Sequence, residues 1–134
     1  MSDMSERNRL VTLVLEVADL DKSVQLYREG FGLDLEVTDH LGTDHGQEDR
    51  WISGRHAATT WKEGAFLHFA LYESKGERTS GAQLAFRVDD IAAAHRVAID
   101  AGARVLHDPR REPWGTSARY RDFDGNVVEL TQPN

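Results

Sequence analysis

One pattern occurs twice in this chain, 71 positions apart. The segment Leu15-Glu16-Val17-Ala18-Asp19-Leu20 precedes an amphipathic run that ends near Gly30, and Phe86-Arg87-Val88-Asp89-Asp90-Ile91 precedes a second run that ends at Gly102. Each copy is typical of a strand, an aspartate at a helix start, the helix itself and a further strand. Because a doubled unit relates matching strands by a pseudo-twofold axis, we expect the functional site to lie between the two copies.

The first copy predicts a module that spans residues 10–73. Its apolar runs and turn residues predict a helix capped by Asp19 and four strands. The strands are predicted at 10–17, 33–39, 50–53 and 65–72. Loops are predicted at 40–49 and 54–63, and a polar connector at 73–81 leads to the second copy.

The second copy predicts a module that spans residues 82–134, with the same order of elements. A helix is predicted at 90–101, with Ile91, His95, Val97 and either Ala98 or Ile99 facing inward. Strands are predicted at 82–88, 104–107, 116–121 and 127–131. The last two flank Asp122-Phe123-Asp124-Gly125-Asn126, which is strong turn chemistry because glycine and asparagine tolerate positive φ.

Together these elements predict a single α+β domain. Two βαβββ modules would form a curved, half-open mixed sheet with helices outside. Residues 1–9 are polar and are expected to be a disordered or loosely attached N-terminus.

Composition narrows the classes of partner. The chain has 16 basic and 23 acidic residues and a net charge of −7, so it lacks the basic footprint that nucleic-acid binding requires. It has no cysteine, which excludes disulfides, thiolate metal ligands and a cysteine nucleophile. No apolar stretch is long enough to cross a membrane and no secretory signal is visible, so we expect a cytoplasmic protein without a membrane partner.

Strand parity identifies the side chains that face away from the helices. In each strand, one set of alternate residues is apolar and is expected to pack under the helices, which leaves the other set on the open side. The polar residues assigned to the open side include Thr12, Glu16, His68, Gln83, Arg87, Ser117, Arg119 and Glu129. They would line a cleft of mixed charge that could hold a small-molecule ligand.

Three segments carry a resemblance to a known family. They are Val17-Ala18-Asp19-Leu20 with the following Ser23 and Leu26-Tyr27, then Gly30-Phe31-Gly32-Leu33, and Pro113-Trp114-Gly115 leading to 121–130. With the duplication, they resemble the vicinal oxygen chelate (glyoxalase/bleomycin resistance protein/dioxygenase) superfamily over nearly the whole chain after residue 9. Its members include glyoxalase I, extradiol dioxygenases, fosfomycin-resistance thiol transferases and bleomycin-resistance proteins.

The resemblance implies a metal position in the metalloenzymes of the family, ligated from four strands. The matching positions here are Thr12, His68, Gln83 and Glu129. Thr12 replaces the usual histidine, which leaves His68, Gln83 and Glu129 as a weak donor set for Zn, Ni, Mn or Fe. One divalent ion is possible with this set, but we expect the protein to have no metal cofactor. In homodimers of the family, two positions can come from each chain.

Each candidate also has a structural explanation. Glu129 could serve the site or form an ion pair with Arg87 or Arg119, and these alternatives are weighed equally. Glu16 could act as a general base, although a salt bridge to Arg87 is the simpler explanation.

The tryptophan and histidine side chains can likewise be explained by a functional or by a purely structural role. Trp51, Trp61 and Trp114 could line a groove for a flat molecule or pack at a dimer contact. Solvated positions in or beside loops are expected for His40, His45, His56 and His107, and ordinary helix packing is expected for His95.

Two functions follow from these observations. The first is a metal-independent protein of the bleomycin-resistance kind that binds a small organic molecule in the cleft, with Trp51 and Trp114 among the ligand-binding residues. The second is a glyoxalase- or dioxygenase-like metalloenzyme, with Glu129 or Glu16 as the catalytic candidate. We favour the first. A homodimer is expected in either case, because uncovered strand edges need a partner.

Overall fold

The computed structural model describes residues 10–38, 55–60, 67–74 and 76–134. The strands of these residues form two four-stranded sheets. The strands of the first sheet are β1 (Thr12–Val17), β2 (Leu35–Thr38), β3 (His56–Thr59) and β4 (His68–Glu73). The strands of the second sheet are β5 (Gln83–Arg87), β6 (Arg104–Glu112), β7 (Gly115–Arg121) and β8 (Val127–Pro133). Their spatial orders are β1-β4-β3-β2 and β5-β8-β7-β6.

The two sheets have the same topology. The outer strand β1 runs parallel to β4, β5 runs parallel to β8, and the other neighbours are antiparallel. The predicted α+β class with two βαβββ modules is therefore confirmed. Several predictions fall outside the described residues, namely those for 1–9, His40, His45, 40–49, the strand at 50–53, Trp51 and Trp61.

Matching aspartates begin the two helices. The helical segments are α1 (Leu20–Gln25), its π-helical continuation (Leu26–Gly30) and α2 (Ile91–Asp100). Asp19 accepts a hydrogen bond from the backbone N–H of Lys22, and Asp90 accepts one from the N–H of Ala93, each at 3.1 Å. Both bonds satisfy a free N–H of the first turn, so the repeated aspartate explains both helix starts. No helix in the described ranges is long and apolar enough to cross a lipid bilayer.

The helix-side faces of the two sheets share one core. Phe31, which follows the π-helical segment, stacks on Phe86 of β5 with ring centroids 5.7 Å apart and packs against Tyr120 of β7 at 5.8 Å. Leu26 of the first module belongs to the apolar cluster of the second, and Val128 of β8 belongs to that of the first. The opposite, open faces of both sheets therefore point away from the shared core.

Gly30 permits this close contact between the modules. A Cβ atom added at Gly30 would lie 2.9 Å from the Cβ of Ala101 and 3.1 Å from the Cδ1 of Leu26. Any larger residue would therefore separate the end of the π-helical segment from the end of α2.

The predicted turn at 122–126 is confirmed and joins three parts of the chain. The hydroxyl of Tyr27 donates to Asp122 Oδ2 at 2.7 Å, and the side chain of Asn126 donates to the same oxygen at 3.0 Å. Asn126 also accepts from the N–H of Ala82 at 2.9 Å and donates to the carbonyl of Thr79 at 2.9 Å. Tyr27 and Asn126 are fully buried, so these bonds fix the first module, the connector and the β7–β8 turn together.

Asp124 extends this network to β1. Its Oδ1 accepts from the N–H of Ala18 at 3.1 Å and lies 3.2 Å from the Nε of Arg78. The side chain is only 2% exposed. Burial raises the pKa of the Asp124 carboxyl above its usual 3.8, and the charge of Asp122 acts in the same direction.

Two strand predictions were wrong. Residues 54–63 were predicted as a loop but contain β3, whose short Ala-rich segment lacks the bulky β-branched residues typical of a strand. The strand predicted at 104–107 continues to Glu112 through Pro109. Register shifts on either side of His107 accommodate the extra residues, and Pro109 is tolerated because β6 is an edge strand.

The inward face of α2 was predicted correctly only in part. Ile91 and Ala98 are buried, but Val97 and Ile99 are 48% and 43% exposed. His95 does more than pack, because its Nδ1 lies 2.6 Å from the hydroxyl of Tyr120. Its Nε2 lies 3.2 Å from Asp108, which ties α2 to β6 and β7.

Replacing Tyr27 with phenylalanine should lower the free energy of unfolding by about 1–3 kcal/mol, because a buried carboxylate loses a hydrogen-bond donor. Urea unfolding measures the loss. Tyr120→Phe provides the comparison, with an expected loss of about 0.5–1.5 kcal/mol because its partner is a histidine nearer the surface. Equal or reversed costs would contradict the role assigned to the Tyr27–Asp122 bond.

The raised pKa of Asp124 makes stability depend on pH. A carboxyl whose pKa is higher in the folded chain contributes stability while it is protonated, and that contribution is lost as the pH rises through the folded-state pKa. Relative to the Asp124→Asn variant, the unmodified chain should therefore lose stability as the pH rises from below 3.8 and then level off. Urea unfolding of both chains across this range measures their free energies of unfolding. If the stability of the unsubstituted chain relative to Asp124→Asn rose with pH, the assigned direction of the pKa shift would be wrong.

Candidate functional site

Cross-strand register gives the open face of the second sheet three rows that cross all four strands and a shorter row of Pro133, Gly115 and Glu112. Read from β5 through β8 and β7 to β6, the first row is Arg87, Thr131, Ser117 and Arg110. The second row is Ala85, Glu129, Arg119 and His107, and the third is Gln83, Val127, Arg121 and Arg104. Neighbours in a row lie about 5 Å apart, within reach of each other's side chains. Five of the predicted ligand-binding residues thus lie on one face.

Glu129 occupies the middle row. Its Oε1 lies 3.4 Å from Nη2 of Arg119, and its Oε2 accepts a hydrogen bond from Thr131 at 3.4 Å. The glutamate side chain is 12% exposed and that of Arg119 is 43% exposed. The ion pair with Arg119, one of the two alternatives for Glu129, is therefore present.

The first sheet presents a separate open face. Thr12 and His68 are register partners on the parallel strands β1 and β4, and Glu16 is the partner of Tyr72. His56 of β3 stacks on Tyr72 with ring centroids 5.0 Å apart and planes 17° apart. The prediction that His56 lies in a solvated loop was wrong, because this side chain belongs to a strand and is partly buried.

The structure brings the candidates together in two groups, one on each sheet. Thr12 lies beside His68 on the first sheet, whereas Gln83 and Glu129 lie on the second. The expected salt bridge between Glu16 and Arg87 is not formed within the described residues. The backbone N–H of Glu16 instead donates to the hydroxyl of Thr79 at 2.8 Å.

The described donors do not fit a divalent metal ion. At the four positions that the family resemblance implies, only His68 and Glu129 are ligands that such a cation prefers. Glu129 is already paired with Arg119, whose positive charge would oppose a cation there. Across the described ranges, no three His, Cys, Asp or Glu side chains gather as a metal-binding group.

A cavity of about 440 Å³ lies between β1, β4 and β5. Its described lining is mostly apolar and consists of Leu13, Leu33, Thr59, Leu67, Phe69, Gln83, Leu84, Ala85 and Phe86. Leu13, Phe69 and Leu84 belong to the helix-side sets of their strands, whereas Gln83 and Ala85 belong to the open face of the second sheet, so this cavity lies between the core and that face. Most of the polar candidate residues lie on the open faces, and we place the candidate site there.

Sequence reasoning missed three side chains of the open face. Arg104, His107 and Arg110 lie on β6, which was predicted to end at 107 and received no parity assignment. Alternation across 104–112 was the available signal, but Pro109 and the two register shifts obscure it. Trp114, at the β6–β7 turn, is 56% exposed and is free of the core.

The sequence matches a known protein family over most of its length. The family model described as the glyoxalase/bleomycin resistance protein/dioxygenase superfamily matches residues 9–130. The chain belongs to this superfamily.

Similar proteins within the superfamily include both a binding protein and a probable enzyme. The crystal structure of TnmS3, an antibiotic binding protein from Streptomyces sp. CB03234, has a TM-score of 0.69 and 27% identity, covering 96% of this chain and 98% of that chain. A glyoxalase/bleomycin resistance protein from the same strain has a TM-score of 0.63 and 28% identity, covering 92% and 99%. A probable lactoylglutathione lyase from Vibrio parahaemolyticus is 30% identical over 92% of this chain and 90% of its own length.

Glu129 is the one carboxylate among five arginines in the three rows, so its removal should cost more stability than removal of Arg119. We expect Glu129→Gln to lower the free energy of unfolding by about 0.5–2 kcal/mol, and Arg119→Gln by less. The difference should shrink in high salt, because exposed charges are screened. Glu36→Gln, on an exposed position of the first sheet, is the control and should have almost no effect. A larger cost for Arg119→Gln would contradict this assignment of charges.

Proposed function

We propose that this protein binds a small organic molecule on the open faces of its sheets and does so without metal catalysis. The observation that carries the proposal is the state of Glu129, the carboxylate at the family's metal position, which is paired with a guanidinium. Similarity to an antibiotic binding protein over nearly the full length of both chains supports a binding role.

The proposed ligand contacts come from both sheets. The first sheet would contribute Thr12, Glu16 and His68, and the second would contribute Gln83, Arg87, Ser117, Arg119 and Glu129. Trp114 would supply an exposed aromatic surface beside the second sheet, and Trp51 is proposed as a further contact from the sequence alone. Hydroxyl, amide and guanidinium groups at these positions can orient a ligand through hydrogen bonds.

A homodimer in the cytoplasm is part of the proposal. Within one chain the two open faces point away from the shared core, so each lacks a second wall. A second copy could place its first sheet over the second sheet of its partner and thereby close two equivalent clefts. Among the described strands, β2 and β6 lie at sheet edges, which gives a further reason for association.

A metal-dependent lyase is the second candidate, because a probable lactoylglutathione lyase is 30% identical to this chain. Under this alternative His68, Gln83 and Glu129 would hold the ion and Glu129 or Glu16 would take part in catalysis. The donor chemistry favours the binding protein, since one imidazole and one paired carboxylate form a poor set.

Elemental analysis after purification without chelators separates the two candidates. We expect no stoichiometric Zn, Ni, Mn or Fe, whereas about one ion per chain, lost in Glu129→Gln, would establish the alternative.

A thermal-shift screen of glycopeptide antibiotics, catechols and thiol adducts tests binding itself. A ligand at a hundred times its Kd should stabilise the fold by about 2.7 kcal/mol. The same ligand should stabilise Gln83→Ala and Ser117→Ala less, whereas Arg96→Gln on α2 serves as a control that leaves the shift unchanged. Equal shifts in all variants would place binding away from the open face.

A further inference from the structure

Positive charge is concentrated on the open face of the second sheet. Its three four-strand rows hold five of the 16 basic residues of the chain and one of the 23 acidic residues, and Glu112 on the same face pairs with Arg110 at 2.7 Å. The chain as a whole carries a net charge of −7, so this face has the opposite sign to the rest of the molecule. Local charge of this kind governs which ligands approach a site, whatever the net charge.

Two of these arginines face each other directly. Arg104 of β6 and Arg121 of β7 are register partners on antiparallel strands. Like charges in directly opposed cross-strand positions destabilise a sheet. Within the described residues neither side chain forms an ion pair, so the repulsion between them is not offset by a carboxylate of those residues.

A neighbouring contact orients the pair. Nη1 of Arg121 donates to the carbonyl of Gly125 at 2.8 Å, which ties this guanidinium to the rigid β7–β8 turn and leaves its other N–H groups available. Arg119 follows on the same face of β7, two residues away. We define Arg104, Arg119 and Arg121 as the arginine corner.

We propose that the ligand of the open face is an organic oxyanion, with a carboxylate or phosphate group bound at the arginine corner. The inference rests on the proposed function, since it names the ligand class of the same site. Guanidinium groups match carboxylates and phosphates because their N–H donors form parallel pairs of hydrogen bonds. An oxyanion between Arg104 and Arg121 would also remove the repulsion between them.

Other groups on the face are compatible with this ligand. The row at the far end adds the guanidinium of Arg87, because the Thr131 hydroxyl donates to Glu129, Ser117 is only 2% exposed and Arg110 is paired with Glu112. Among the described residues, the open face of the first sheet carries two carboxylates, Glu16 and Glu36. A second copy that laid this face over the arginines would therefore still leave the cleft positively charged.

Binding of matched naphthalene derivatives to the full chain tests the inference. The probes are a naphthalene carboxylate, a naphthyl phosphate, a naphthalene methanol and a naphthalene methylammonium, measured by calorimetry in low and high salt. Both anionic probes should bind at least about tenfold more tightly than the neutral alcohol, with the cation weakest. The preference should diminish in high salt, and the stronger anion identifies the oxyanion class.

Variants locate the effect. Arg104→Gln and Arg121→Gln should each reduce anion binding about tenfold and leave binding of the alcohol unchanged. Arg111→Gln is the matched control, because Arg111 is exposed on the same strand but paired with Thr116 outside the three rows. Without a probe, Arg104→Gln should raise the Tm by about 1–4 °C, which shows that the variant is folded and that the repulsion is real.

Three outcomes would overturn the inference. They are equal affinity for the alcohol and the anions, equal losses in Arg111→Gln and Arg104→Gln, and no anion binding up to about 10 mM. Each of these leaves the proposed function to be decided by the antibiotic and catechol screen on Gln83→Ala and Ser117→Ala. If instead no compound of that screen binds but the anionic probes keep their preference, the antibiotics, catechols and thiol adducts are excluded as ligands and the oxyanion site is retained.

Discussion

The buried bond between Tyr27 and Asp122 holds the two modules in the arrangement on which the site depends. It joins the π-helical segment of the first module to the β7–β8 turn of the second, and Asn126 connects the same carboxylate to the connector. Charge-assisted bonds in a buried environment are strong and directional. They bring the helix-side faces together at Phe31 and Phe86, and the open faces must then point outward.

This arrangement explains why net charge is a poor guide to the ligand. The sequence is acidic, which is mildly compatible with a cationic ligand, although solubility accounts for it equally well. Register, however, brings Arg104 opposite Arg121 and His107 opposite Arg119 on one face. Pairing between residues 12 to 17 positions apart in the sequence thus decides the local electrostatic potential, which the overall composition does not reveal.

The parts of the fold that depend on local chemistry could be predicted from the sequence. Asp19 and Asp90 cap helices through bonds to residues three positions away, and alternation in β1 and β5 separates core from open side. The local signal of the missed elements is weak or obscured. The burial of Ala57 in β3 comes from its neighbours β2 and β4, and the course of β6 past Pro109 depends on its pairing with β7. Likewise, strand parity identified the residues on the open side of each sheet. It could not show that the open faces of the two sheets point away from a common core.

Glu129 shows how one neighbour decides the chemistry of a cleft. From the sequence, a carboxylate at this position is equally consistent with a metal ligand and an ion-pair partner. Arg119 lies directly opposite in the register, and two unit charges about 4 Å apart near a protein surface interact with roughly 4 kcal/mol. A divalent cation beside Glu129 would meet about twice that repulsion from Arg119, which offsets the attraction of the carboxylate. Glu129 in turn repels an oxyanion about as strongly as Arg119 attracts it, so the anion preference of the face must come from Arg104 and Arg121, which have no carboxylate partner among the described residues.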